Sequence, residues 1–172
     1  GAAAEEGYSL DALTDLAERC NNTVRSMGMA LTSCQLPTSD APTFDLGEDE
    51  MEIGIGIHGE PGRTRTSIAP ADEVVDRLME PIINDLPFRE GDDVLLFVNS
   101  MGGTPMIEVY LAYRRAAEVA EAHGLTVVRN LVGPYITSLE MAGLSITMMK
   151  MDDERTRLWD APVHTPGLRW GA

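Results

Sequence analysis

An α/β domain, built as two layers with a mixed β-sheet and helices packed on it, is what this chain predicts, and three consecutive segments predict it. Asp93 to Val98 is a short, nearly continuous apolar run, the pattern of a strand buried on both faces. After a turn at Asn99-Ser100-Met101-Gly102-Gly103, Thr104 can cap a long helix reaching His123-Gly124. That helix would carry Val109, Ala112, Tyr113, Ala116, Val119 and Ala120 on one side, with Arg114, Glu118 and Glu121 opposite. Leu125 to Leu131 reads as a second strand, and strand, helix and strand in succession form a right-handed βαβ unit. At 172 residues the chain suits one domain, 1–172, with a sizeable core.

The other elements follow from the same periodicities. Ser9 is a helix N-cap, after which Leu13, Leu16, Ala17, Cys20, Val24, Met27 and Leu31 recur at helical spacing, predicting an amphipathic helix of about five or six turns. Thr32 to Pro37 is a short extended stretch, and Thr38, Ser39, Asp40 and Pro42 make a turn-rich connection. From Met51 the apolar residues alternate. Met51, Ile53, Ile55 and Ile57 share one face of a strand, leaving Glu52, Gly54, Gly56 and His58 on the other. Arg63 to Ser67 is expected to be a polar loop, and Pro70 to start a helix running to about Asp85, which Pro81 should kink or shorten. Gly133-Pro134-Tyr135 is a turn, Ser138 to Ala142 a short helix or turn, Ser145 to Met151 a third strand, and Asp152 to Asp160 a last short helix.

Charge narrows the function classes. A net charge of -15 argues against nucleic acid and anionic membranes, which are bound by clustered Lys and Arg. Lys150 is the only lysine, and the acid-rich balance fits either a salt-rich cytoplasm or a plain compositional bias. No apolar run approaches the length of a membrane span. Cys20 and Cys34, far from any CxxC spacing, read as reduced thiols of a cytoplasmic protein. Gly1 is no initiator, and the opening Ala2-Ala3-Ala4-Glu5-Glu6 is expected to be the cut end of something longer.

Two segments are candidates for chemistry. In the first, a strand clears one face of side chains at Gly54 and Gly56 and presents an imidazole at its tip, so His58 is either a ligand-facing group or a satisfied loop histidine. A neutral imidazole there serves as a base or a nucleophile. Gly54-x-Gly56-x-x-Gly59 matches the dinucleotide fingerprint in form, but Glu60-Pro61-Gly62 follows where a helix is required. A zinc site fails too, since no second His or Cys stands at ligand spacing. His123 at a helix end and His164 in the tail read as structural or solvated. The second segment, Asn99 to Thr104, is a strand-to-helix turn of the kind that receives ligands in α/β proteins, although turn chemistry alone explains its composition.

Taken in order, Asn21-Asn22-Thr23-Val24-Arg25-Ser26-Met27-Gly28, Thr32 to Pro37, Gly54 to Gly62, Val98 to Pro105, Leu131-Val132-Gly133 and Thr137 to Ser145 resemble the dihydroxyacetone kinase K subunit, in its second half. The resemblance spans nearly the whole chain. It implies a substrate-capturing domain cut from a two-domain subunit, in which the histidine matching His58 holds dihydroxyacetone as a covalent hemiaminal, with Gly54 and Gly56 lining the sugar's place. It also implies that the acid-base residues belong to the missing first domain. ATP and magnesium, or a phosphorylated carrier system, would act through a separate domain or subunit, and the K subunit would pair as a homodimer. Two alternatives accompany this resemblance: a ligand-sensing regulator of the same fold without phosphotransfer, and a kinase for another short ketose such as a tetrulose.

Overall fold

The computed structural model describes residues 1–58, 60–86 and 88–171. Helices α1 (Ala2–Glu5) and α2 (Leu10–Asn22) lead into strands β1 (Val24–Ala30), β2 (Glu50–Ile53) and β3 (Thr64–Ser67). Helix α3 (Ala71–Asp85), strand β4 (Asp93–Ser100), helix α4 (Met106–Ala122) and strand β5 (Thr126–Gly133) follow. Strand β6 (Gly143–Lys150), helix α5 (Asp153–Trp159) and a small hairpin of β7 (Val163–His164) with β8 (Arg169–Trp170) complete the chain. Among the described residues, six strands form one mixed sheet in the order β3-β2-β1-β6-β4-β5, and of these strand pairs β4 with β5 is the parallel one. The expected βαβ unit is therefore β4-α4-β5, whose strands are neighbours.

Helices α3 and α4 cover one face of this sheet, and the core lies between the two layers. Met27, Met29, Val94, Leu96, Val98, Ile146 and Met148 from the strands meet Val75, Leu78, Met79 and Ile82 of α3 and Val109, Ala112 and Ala116 of α4. Each large side chain removed from water there contributes roughly 1.5–3 kcal/mol. A smaller cluster of Ala30, Cys34, Ile55, Met101 and Met141 lies apart from this core, with Phe44 and Ile57 packed on it.

The first helix is shorter than its periodicity predicts. Ser9 caps it as expected, its Oγ accepting from Ala12 N–H at 3.3 Å, but the helix ends at Asn22. Thr23 stops it: its hydroxyl bonds the carbonyls of Arg19 at 2.7 Å and Cys20 at 3.2 Å. A helix continuing past that point would carry a β-branched pair and then Gly28, all poor helix formers. As a strand the segment pairs with β6 over seven residues and with β2 on its other side, and tertiary pairing overrides the helical spacing of Val24, Met27 and Leu31.

Arg63 to Ser67 is likewise not all loop, since Thr64–Ser67 forms edge strand β3. Glu52 and Arg65 face each other across β2 and β3, and Arg65 Nε donates to Glu52 at 3.1 Å. Such an opposite-charge pair contributes modestly to an edge strand. Pro70 occupies the N-cap position of α3 rather than its first turn, and the helix continues through Pro81 to Asp85. Pro105 takes the N-cap of α4. Thr104 is buried instead, its hydroxyl donating to Gly143 O and accepting from Gly143 N–H, both at 2.8 Å. The last short helix forms where the sequence places it, with Asp152 as its N-cap accepting from Arg155 N–H at 2.8 Å. No helix is long and apolar enough to cross a membrane among the described residues.

Candidate functional site

The glycine segment does not extend as one long strand. β2 stops at Ile53 because Gly54 takes φ +84°, a left-handed conformation that costs an L residue but not glycine. Gly54 N–H donates to Gly28 O at 2.6 Å and Arg63 N–H to Ile53 O at 2.7 Å, so the chain leaves the sheet at Ile53 and returns at Arg63. Alternation survives the end of the strand, as Met51, Ile53 and Ile55 are buried and Ile57 packs on the small cluster. The loop is thus fastened at its base and along one edge, and it leads into β3 rather than into a phosphate-binding helix. Gly59 lies outside the described residues.

His58 sits on this loop with 79% of its side chain exposed. Its Nδ1 is 2.8 Å from Glu60 Oε1, and its backbone N–H donates to Glu60 Oε2 at 3.0 Å. Gly56 N–H reaches Glu60 O at 3.4 Å. The Glu60 carboxyl is held below the usual carboxylate range, first by its own backbone N–H and then by the His58 ring.

Beside the loop is a cavity of about 390 Å³ on the face of the sheet opposite α3 and α4. Ser26, Met27, Gly28, Ser145 and Thr147 form its strand-derived floor, Gly54 to Ile57 and Arg63 one wall, and Met101 and Ile136 further lining. Gly54 and Gly56 therefore line it as backbone. A Cβ on Gly54 would press on the Arg63 side chain, and one on Gly56 would run into the Glu60 carboxylate. His58 follows Ile57 directly, so the imidazole lies next to this lining in sequence.

The second candidate segment holds the site together. Asn99 is fully buried, and its Oδ1 accepts from Tyr135 N–H at 3.0 Å and Ile136 N–H at 2.8 Å. Its Nδ2 donates to Ile136 O at 2.7 Å and Ser145 Oγ at 3.4 Å. One amide side chain thereby clamps the loop after β5 to the sheet, satisfying groups that burial would otherwise penalise. Ser100 Oγ donates to Thr104 O at 2.8 Å and shapes the turn. Asn99 to Thr104 is a scaffold for the cavity, with Met101 reaching its lining.

The remaining singled-out residues lie elsewhere. His123 caps the end of α4, with Nδ1 2.8 Å from Val119 O, and His164 is exposed on β7. Cys20 and Cys34 are free thiols, and Cys34 is buried. Among the described residues no three His, Cys, Asp or Glu side chains converge as a metal site. Glu60 is expected from sequence only as part of the turn that follows the glycines, and Ser26, Ser145, Thr147 and Arg63 carry no site role of their own there, although Ser26 and Ser145 lie in the segments that carry the resemblance. The polar parity of β1 and β6, Ser26 and Gly28 against Ser145 and Thr147, would have found the floor had β1 been recognised as a strand.

Comparison with known proteins matches this arrangement. The Dak1 domain family model covers residues 1–167. The dihydroxyacetone-binding subunit DhaK of the PEP-dependent dihydroxyacetone kinase of Escherichia coli is 42% identical over 99% of this chain and 55% of that protein. The L-erythrulose 1-kinase of Mycolicibacterium smegmatis is also 42% identical, over 100% of this chain and 31% of its own length. Among solved structures, a dihydroxyacetone kinase operon co-activator, DhaQ, superposes with a TM-score of 0.86 at 28% identity, covering 92% of this chain and 50% of that one. The dihydroxyacetone kinase from C. freundii, in complex with AMP-PNP and Mg2+, superposes at 0.75 with 27% identity, covering 93% of this chain and 29% of that one. The chain spans about half the length, or less, of the curated relatives it matches. With its sheet, its cavity and its histidine loop in the same continuous match, the chain belongs to the Dak1 domain family.

Proposed function

We propose that this chain is the substrate-capturing domain of a dihydroxyacetone kinase subunit, and that His58 holds the ketone as a covalent hemiaminal. The observation that carries the reading is the placement of His58. Its ring is exposed on a loop pinned at Gly54 and Arg63, only Nδ1 of the ring is engaged among the described residues, and a polar-floored cavity adjoins the loop. Nε2 adds to the carbonyl carbon, and the captured triose then has its hydroxyls fixed for attack on a phosphoryl donor, an advantage of orientation. Glycerol has no carbonyl and would escape capture.

Among the described residues, no metal-binding cluster offers a donor site. No carboxylate group converges to hold magnesium among the described residues, and the glycine loop ends in a strand. We assign ATP and magnesium to a separate domain or subunit, and the acid-base residues to a first domain of the same two-domain subunit working as a homodimer in the cytoplasm, a reading supported by the chain's span of about half the length, or less, of its curated relatives. The test uses the complete subunit and dihydroxyacetone labelled with carbon-13 at its carbonyl. Capture should move the label from the ketone to the tetrahedral region of the spectrum, and His58→Ala should abolish both that signal and phosphorylation. A fully active His58→Ala subunit would refute the reading.

A second reading, a ligand-sensing regulator, draws on the superposition with the operon co-activator. It predicts the same captured signal without phosphate transfer when donor components are supplied. A tetrulose substrate draws on the L-erythrulose 1-kinase likeness, and competition between dihydroxyacetone and erythrulose for phosphorylation decides between the sugars.

A further inference from the structure

We infer that Glu60 is a positioning residue for His58, holding the proton on Nδ1 so that the lone pair stays on Nε2. The inference rests on the capture reading above and extends it to a residue two positions away. Both carboxylate oxygens are committed to His58: Oε2 accepts its backbone N–H at 3.0 Å, and Oε1 lies 2.8 Å from ring Nδ1. An ionised carboxylate only accepts, so the ring nitrogen facing it carries the hydrogen. In a neutral imidazole the other nitrogen is then the bare one. Backbone and ring are gripped by the same group, which sets the ring's orientation together with its tautomer.

Gly56 supplies an independent sign that this contact is built in. The carboxylate occupies the space where a Cβ at Gly56 would project, while Gly56 N–H reaches back to Glu60 O at 3.4 Å. The glycine makes room for the Glu60 head group and so for its hold on His58.

The grip matters during addition. The Nε2 lone pair forms the bond to the carbonyl carbon as the C=O π pair moves onto oxygen, and the ring becomes an imidazolium that still carries Nδ1–H. Glu60 faces the growing positive charge. Release of the Nδ1 proton through the carboxylate to solvent and uptake of a proton by the alkoxide give a neutral hemiaminal, with no net change in protons. Return of those two protons reverses the step.

Glu60→Gln is a near-isosteric test, because an amide offers one acceptor and one donor where the loop needs two acceptors. In the complete subunit with nitrogen-15 histidine, long-range proton–nitrogen correlation should show His58 as Nδ1–H in the unaltered protein. The variant should gain Nε2–H and lose roughly 10- to 100-fold in affinity for carbonyl-labelled dihydroxyacetone, the scale on which partners behind functional histidines act. Gly56→Ala keeps the carboxylate but displaces it, and should shift the tautomer in the same direction. A Glu60→Gln subunit that stays Nδ1–H and captures the ketone as tightly as the unaltered one overturns the inference. An unaltered subunit that forms no adduct overturns the capture reading instead, and its apo tautomer still decides whether Glu60 holds the ring.

Discussion

The two faces of one sheet are used in opposite ways. Under α3 and α4, Met27, Leu96, Val98, Ile146 and Met148 are buried in a continuous apolar core. One residue along in the same strands, Ser26, Gly28, Asn99, Ser145 and Thr147 look the other way, toward the cavity, its lining or the clamp beside it. Ser26 and Thr147, direct partners across β1 and β6, share a hydroxyl hydrogen bond of 2.7 Å. Because side chains alternate along a strand, parity separates the residues packed under the helices from those facing the site, with Met27 reaching both the core and the cavity lining.

Substitutions across that divide should give sharply different results. The largest effect on stability is expected on the covered face, where Leu96→Ala should cost about 2–5 kcal/mol in urea denaturation, through lost burial and a cavity. Next comes Asn99→Ala, which removes the clamp and takes the Asn99 partner from the Ile136 N–H and C=O, while Tyr135 N–H keeps only Gly133 O, at about 1–3 kcal/mol. Ketone capture should also weaken in that variant, since Ile136 lines the cavity. If capture is unchanged while stability falls, the clamp serves the fold alone.

A smaller effect belongs to the end of the sheet where β4 begins and β6 finishes. Burial opposes ionisation of Asp92, but Lys150 at 2.5 Å and the Arg89 backbone N–H outweigh it and hold the carboxyl below its ordinary value. A depressed folded-state value means that the stabilisation is complete above the unfolded value and is lost as pH falls through the folded one. Urea midpoints should therefore drop below about pH 4 by an amount worth about 1 kcal/mol or less, and Asp92→Asn should flatten that part of the curve. The smallest change is expected at the floor of the cavity. Ser26→Ala should alter stability by no more than about 0.5 kcal/mol, so a large loss there would break the division between faces.

How legible the molecule was depended on whether a signal was local. The run of Asp93 to Val98, the stripe of α4 and the cap at Ser9 each rest on neighbouring residues, and all three elements formed near their expected places. Val24 to Ala30 failed that test because its apolar residues continue the helical spacing of the preceding segment, and pairing with β2 and β6 overrode it. Edge strand β3 was missed for a related reason, since four polar residues become a strand only with Glu50 to Ile53 alongside. At the site, the position of His58 was visible in its glycine surroundings. Its partner was not, because Glu60 reaches back only after Gly54 has turned the chain.

By itself, the sequence determined the α/β class, the βαβ unit and the residue to which the chemistry is assigned, because periodicity, turn residues and a lone imidazole among glycines are written locally. Tertiary structure decided which face of the sheet would be covered, that β1 would be a strand and that Asn99 would clamp a loop some 36 residues away. It also brought both oxygens of Glu60 onto His58. Those outcomes depend on hydrogen bonds and packing between segments distant in the chain or turned back on themselves, and such contacts exist only once the whole sheet has formed.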